Sequence, residues 1–247
     1  MNTENPWLNI SWNNRFAEGD EKAIDEFNSK IEDENLKVDK GMLPEPFTGD
    51  LETCEVVCLN LNPGISDGDE LFKGNQQLLD LTQKTLRHQL GYSMWFEEIR
   101  DSNGELHPGC KWWNARTKSL RKKLAGGTGK NGIDGKKLKI FVLEFFPYHT
   151  RNASKFPPLT SDEYRNYLLN RAMEAGKLII IMRGRKDWFG IDTLVDGKTI
   201  ELGKKLQQYE KKLYMLNAQN ACLSENNLID PKDFAKNWEQ LTDTLRL

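Results

Sequence analysis

Four short apolar runs constrain this chain more than anything else in it. They are residues 55–61 (EVVCLNL), 138–143 (LKIFVL), 178–182 (LIIIM) and 213–216 (LYML). Each is largely apolar and enriched in β-branched or aromatic residues, the pattern of a strand covered on both faces. Helical patterns lie between them. Residues 71–90 carry leucines and threonines three and four apart, and residues 112–124 are basic along one side before Gly126-Gly127. Thr160-Ser-Asp-Glu163 reads as a capping box opening a helix that closes at Gly176. Asp230-Pro231 resembles an N-cap followed by proline at the first helical position of a last helix, ending near Asp243. Asp196-Gly197 reads as a hairpin turn between the third and fourth strands. Strands alternating with helices predict an α/β chain: a three-layer α/β/α sandwich on a short, mainly parallel, four-stranded sheet.

A length of 247 residues suits one domain, with residues 1–45 as a helical and extended prelude and 50–245 as the core. The prelude carries a helical pattern near 20–31 and an extended stretch at 43–47. Thirty-five Lys and Arg stand against 37 Asp and Glu, which excludes a globally basic nucleic-acid binder and leaves a local basic groove open. No run approaches the ~18 apolar residues of a membrane span. Residues 1–6 lack the basic and then apolar regions of a signal peptide, so a cytoplasmic monomer is expected. Cys54 and Cys58 lie four apart on a strand, roughly 13 Å, too far to share a metal ion or form a disulfide. Packed thiols are expected, with neither metal nor cofactor. A P-loop motif is absent, Gly126-Gly-Thr-Gly129-Lys130 lacks the strand before and helix after that shape a phosphate cradle, and His88, His107 and His149 are scattered.

In open parallel sheets ligands bind beyond the carboxyl ends of the strands, and here every strand runs into polar residues. The first meets Asn60-Leu-Asn62-Pro63-Gly64, and the second Glu144-Phe145-Phe-Pro147-Tyr148-His149. The third meets Arg183-Gly-Arg185-Lys186, and the fourth Asn217-Ala-Gln219-Asn220 and, further on, Ser224. Turn chemistry accounts for any one cluster; four on one rim point to a site. In Asn62-Pro63-Gly64 the proline and glycine shape a tight turn that lets backbone approach a ligand. Glu144 follows an apolar run, so it is either a site carboxylate or a structural anchor. His149 reads first as a loop histidine, and otherwise as a general acid or a phosphate contact. Arg183, Arg185 and Lys186 read as a phosphate clamp or a solvated charge cluster. In residues 111–123 (KWWNARTKSLRKK), Trp112 and Trp113 either stack on bases or pack inward.

The order of these segments resembles the uracil-DNA glycosylase superfamily over roughly residues 40–245. Leu59-Asn-Leu-Asn62-Pro63-Gly64 is similar to motif A of its mismatch-specific and single-strand-selective branches. Residues 140–150 (IFVLEFFPYHT) are similar to the strand and loop holding the base-reading asparagine, and residues 213–224 occupy the place of motif B. The resemblance implies a DNA glycosylase that flips a base out of the stack and hydrolyses its N-glycosidic bond. Asn62 would orient the water. Gln219, Asn220 and Ser224 would support the leaving base and grip the backbone, and Pro63, Gly64, Glu144, Phe145 and His149 would surround the base. Arg183, Arg185 and Lys186 would meet phosphates. DNA or a nucleotide is the expected partner. Two departures stand out. Motif B lacks its His-Pro-Ser or Asn-Pro-Ser, and Glu144 replaces the base-reading asparagine. An ionised glutamate only accepts hydrogen bonds, so a base other than uracil is expected. The departures equally fit a member that keeps the fold, binds nucleic acid or nucleotide, and lacks catalysis.

Overall fold

The computed structural model describes residues 4–127, 132–152, 155–191, 195–209, 213–216, 221–229 and 234–246. Its sheet has strands β1 (Phe47–Thr48), β2 (Val56–Asn60), β3 (Ile140–Glu144), β4 (Leu178–Ile181), β5 (Leu213–Leu216) and β6 (Leu228–Ile229). Their order is β1-β3-β2-β4-β5-β6. The four expected strands form the parallel centre. The sheet is nevertheless six-stranded, because β1 and β6 add antiparallel edges two residues long. Runs that short carry no readable alternation, so the sequence did not announce them.

The helices are α1 (Asp20–Asn28), α2 (Gln76–Leu86), α3 (Pro108–Leu124), α4 (Asp162–Glu174), α5 (Arg185–Trp188), α6 (Gly197–Gln208) and α7 (Phe234–Thr244). From β2 the chain crosses through α2 and α3 to β3 on one side. From β3 it returns through α4 past β2 to β4, and then through α6 to β5. Right-handed crossovers in opposite directions place α2 and α3 on one face and α4 and α6 on the other. In agreement, α3 packs against α7 and α4 against α6. The direction changes at β2, and that switch opens a crevice at the carboxyl ends of the central strands. Both faces of the sheet are covered, and every residue of β2, β3 and β4 is buried. Burial pushes the Cys54 and Cys58 thiols up to about 12. Among the described residues no helix is long and apolar enough to cross a membrane.

Three local expectations are corrected. Asp196-Gly197 does not turn a hairpin: Asp196 accepts a hydrogen bond from Thr199 N at 2.6 Å and caps α6. An Asp-Gly pair serves either purpose, and the helical spacing of Leu202 and Leu206 decides it. The Thr160–Glu163 capping box does not form either. Ser161 Oγ donates instead to Asp20 Oδ2 at 2.6 Å, while Asp162 Oδ2 accepts from Leu159 N at 3.0 Å. The pattern over 71–90 breaks into a 3-10 turn (Asp69–Phe72) and α2, which Asn75 caps through Leu78 N.

The prelude is part of the core. Trp7, Ile10, Ala17 and Ile24 are buried in it. Asp20 is fully buried, accepting from Tyr148 Oη at 2.9 Å and from Ser161 N at 3.1 Å. Residues 38–48 run beside the chain that leaves β3, with Glu144 N donating to Pro46 O and Glu45 N to Pro147 O. Gly49 makes the bend after this arm. Its φ is +92°, and a Cβ there would lie 2.4 Å from Ile140 O. Gly49→Ala should therefore cost about 2–4 kcal/mol, left-handed strain and overpacking together, read as a lowered urea midpoint.

Candidate functional site

A cavity of about 220 Å³ opens at the carboxyl ends of β2, β3 and β4. That is room for roughly seven waters, and less than the ~300–1,000 Å³ of pockets for drug-sized ligands. One heterocyclic ring fits it.

Its floor follows from strand register. Asn60 and Glu144 end β2 and β3 as direct neighbours. Both are buried, and Asn60 Nδ2 donates to Glu144 Oε1 at 2.9 Å. The other atoms of the pair, Asn60 Oδ1 and Glu144 Oε2, have no hydrogen-bond partner among the described residues. Buried polar atoms left so cost about 1–3 kcal/mol each, which a ligand can return. Burial pushes the Glu144 carboxyl up to about 8 and the charge of Glu45 adds to this; the Asn60 hydrogen bond, Arg183 and His149 pull the other way. Glu144 is thus a carboxylic acid at neutral pH. The acceptor-only glutamate expected from the sequence requires the ionised form, which burial disfavours here.

Asn62 lines the cavity just beyond β2. Its Nδ2 donates to Pro63 O and to Thr150 Oγ1, each at 2.9 Å, which leaves Oδ1 as the amide atom available to a ligand or water. Pro63 and Gly64 line the same wall. Gly64 has no positive φ, and a Cβ there would meet no atom within 4 Å. Its missing side chain therefore leaves space in the cavity; no left-handed turn requires it.

His149 is buried with acceptors at both ring nitrogens. Nδ1 lies 2.8 Å from Gly64 O, while Nε2 lies 3.0 Å from Leu43 O and 3.2 Å from Glu45 Oε1. A neutral imidazole has one N–H, so this setting holds the imidazolium. Burial opposes the charge, but the Glu45 hydrogen bond and charge and the Gly64 carbonyl outweigh it and push the ring up to about 9. With both N–H groups engaged by protein acceptors, His149 clamps the arm before β1 to the Asn62–Gly64 loop. Neither N–H is left for a substrate.

The facing wall comes from the start of α3 and the segment before it. His107 caps α3, its Nδ1 accepting from Gly109 N at 3.0 Å, so the ring proton sits on Nε2. Nε2 is buried, has no hydrogen-bond partner among the described residues and lies 3.6 Å from Asp69 Oδ1, too far for a hydrogen bond. Burial lowers the His107 pKa, against the charges of Asp69 and Glu45. Asp69 is buried too, its Oδ2 accepting from Ser66 N at 2.6 Å and Ser66 Oγ at 2.8 Å. Trp113 packs inward; Trp112 is half-buried with the Arg116 guanidinium 5.1 Å from its ring centre, and both tryptophans line the cavity.

Asn62, Pro63, Gly64, Glu144, His149 and Arg183 thus line one cavity. Phe145 does not; it packs between the Arg165 guanidinium and Trp188 in the layer beneath. Arg185 and Lys186 are exposed on α5, away from the lining, and Ser224 precedes a 3-10 turn elsewhere. Gln219 and Asn220 lie outside the described residues. Sequence reasoning passed over Glu45, Asn60, Asp69 and His107. The signal for His107 was there: His107-Pro108 is a capping residue with proline at the first helical position. Among the described residues no group of three or more His, Cys, Asp or Glu is placed to hold a metal ion. No protein-family model, curated protein or solved structure matches this chain.

Proposed function

We propose that this protein is a glycosylase-like hydrolase of the uracil-DNA glycosylase type, cleaving the N-glycosidic bond of a base held in the cavity. One observation carries the reading: Asn62 and the Asn60–Glu144 pair, from separate strands, line one space of single-ring size. Asn62 Oδ1 accepts from the attacking water and orients it. Below about pH 8 the floor offers the Glu144 O–H as donor beside Asn60 Oδ1 as acceptor. A base presenting a carbonyl oxygen next to a ring N–H, as uracil does, complements that edge. The ground for rejecting uracil disappears with the proton on Glu144. Trp112 supplies an aromatic wall, and Arg183 with the lysines of α3 supplies positive charge for the backbone.

The test is excision from single-stranded and duplex oligonucleotides, each carrying one of a panel of bases. Abasic-site formation is expected for keto-bearing bases at pH 7, falling about 100-fold or more in Asn62→Ala. No excision from any substrate would remove the hydrolase reading. The second reading, a non-catalytic base-binding protein, is favoured by one feature: Asn62 is an amide and cannot take the water's proton. Salt-dependent binding of the same oligonucleotides without cleavage is its signature.

A further inference from the structure

We infer that Asp69 is the base of this reaction, its Oδ1 and the Nε2–H of His107 together holding the attacking water. The inference rests on the hydrolase reading above and supplies what that reading lacks, a group able to accept a proton.

The two side chains are fixed independently. Ser66 N and Oγ both donate to Asp69 Oδ2, so the carboxylate cannot rotate and Oδ1 keeps its place. Gly109 N donates to His107 Nδ1, and the rings of Phe72 and Trp95 pack on the imidazole at 4.3 and 4.8 Å between centres. What remains is one acceptor, Asp69 Oδ1, and one unpartnered donor, His107 Nε2–H, 3.6 Å apart in the wall of the cavity that Asn62 lines. They are too far apart to bond each other, and close enough for a single oxygen about 2.8 Å from both to join them. Water is such an oxygen, since it accepts from Nε2–H while donating to Oδ1. Its second O–H is left for Asn62 Oδ1, and its remaining lone pair for the sugar.

The reaction then balances. As the water oxygen bonds to C1′, Asp69 takes one of its protons. The C1′–N bond breaks with its electron pair passing to the base, whose developing charge meets the Glu144 O–H. Asp69 returns its proton to solvent and the base anion takes one up, leaving a hydroxyl at C1′. Asp69 Oδ2 receives two donors from Ser66 and its Oδ1 faces the His107 N–H, whereas Glu144 receives one amide hydrogen bond in a buried floor.

The experiment uses the full chain and the wild type's best oligonucleotide, under single-turnover conditions. Asp69→Asn should lower the cleavage rate by about 10²–10⁴-fold with Kd unchanged. Azide, an anionic nucleophile that needs no proton removed, should restore turnover in this variant and give a glycosyl azide. His107→Ala, the second variant, should lose about tenfold or more and respond to azide likewise. Wild-type protein that cleaves nothing overturns the hydrolase reading and this inference together. Wild-type cleavage that Asp69→Asn leaves intact overturns this inference alone. So does a fall in rate that azide relieves in neither variant, or one matched by an equal loss of binding, since the pair would then be structural.

Discussion

Glu144→Gln should make the protein more stable at pH 7, by roughly 3 kcal/mol, while keeping the hydrogen-bonding edge of the cavity. The folded Glu144 carboxyl titrates at about 8 and an unperturbed one near 4.5. Between those values the folded state keeps a proton that the unfolded chain releases. Stability therefore falls as pH rises through this window, by about 1.4 kcal/mol per unit, and is highest below it. Glutamine has nothing to release, and its amide offers the same acceptor to Asn60 Nδ2 and a donor where the O–H stood. Urea denaturation of both proteins at pH 4.5, 7 and 8.5 reads the effect as a gap that widens with pH; a variant no more stable at pH 7 would show that the carboxyl is ionised there. Base choice should move with the same proton. Wild-type protein should favour keto-bearing bases at pH 7 and lose that preference above about pH 8, where the carboxylate accepts from an exocyclic amine instead. Glu144→Gln should favour keto-bearing bases at both.

The second large effect belongs to His149. Its imidazolium joins three segments through Gly64 O, Leu43 O and Glu45. His149→Ala should cost about 3 kcal/mol at pH 6, because it leaves the Glu45 charge without its partner and two carbonyls without donors. The sign with pH is opposite to a carboxylate lowered by a partner. A histidine raised from 6.5 to about 9 contributes fully below 6.5, and its contribution is lost as pH rises through 9. The difference in unfolding free energy between wild type and variant should be widest at pH 6 and shrink toward pH 9.5 to the packing term alone. A difference independent of pH would mean a neutral ring. Together, Glu144 and His149 should make the wild-type protein lose stability from about pH 4.5 to 9, most steeply between 6.5 and 8 where both contribute.

Much of the architecture was legible in the sequence because covered parallel strands must be apolar along their whole length. Val56–Asn60, Ile140–Glu144, Leu178–Ile181 and Leu213–Leu216 answer to that requirement almost residue for residue. The polar residues just beyond them could be located for the same reason, since the apolar pattern stops where the covered strand does. Asn62, Glu144 and His149 were singled out on that basis. Their protonation was not, because it depends on what surrounds them: an ionised Glu144 and an imidazolium His149 differ from their alternatives only through neighbours distant in the chain. Asp196 misled because a capping residue looks alike before a turn and before a helix, and the Thr160 capping box because Asp20, distant in the chain, takes the Ser161 hydroxyl instead.

By itself the sequence determined the α/β class, the four central strands and the rim on which polar residues gather, since burial and periodicity are local properties of the chain. Tertiary structure decided the order of the strands, and through it that Asn60 stands beside Glu144. It also brought Glu45 from the arm before β1 and Asp69 and His107 from the approach to α3 to one small space. No local pattern encodes those meetings. They arise from the direction each crossover takes over the sheet and from which backbone atoms remain to receive each side chain.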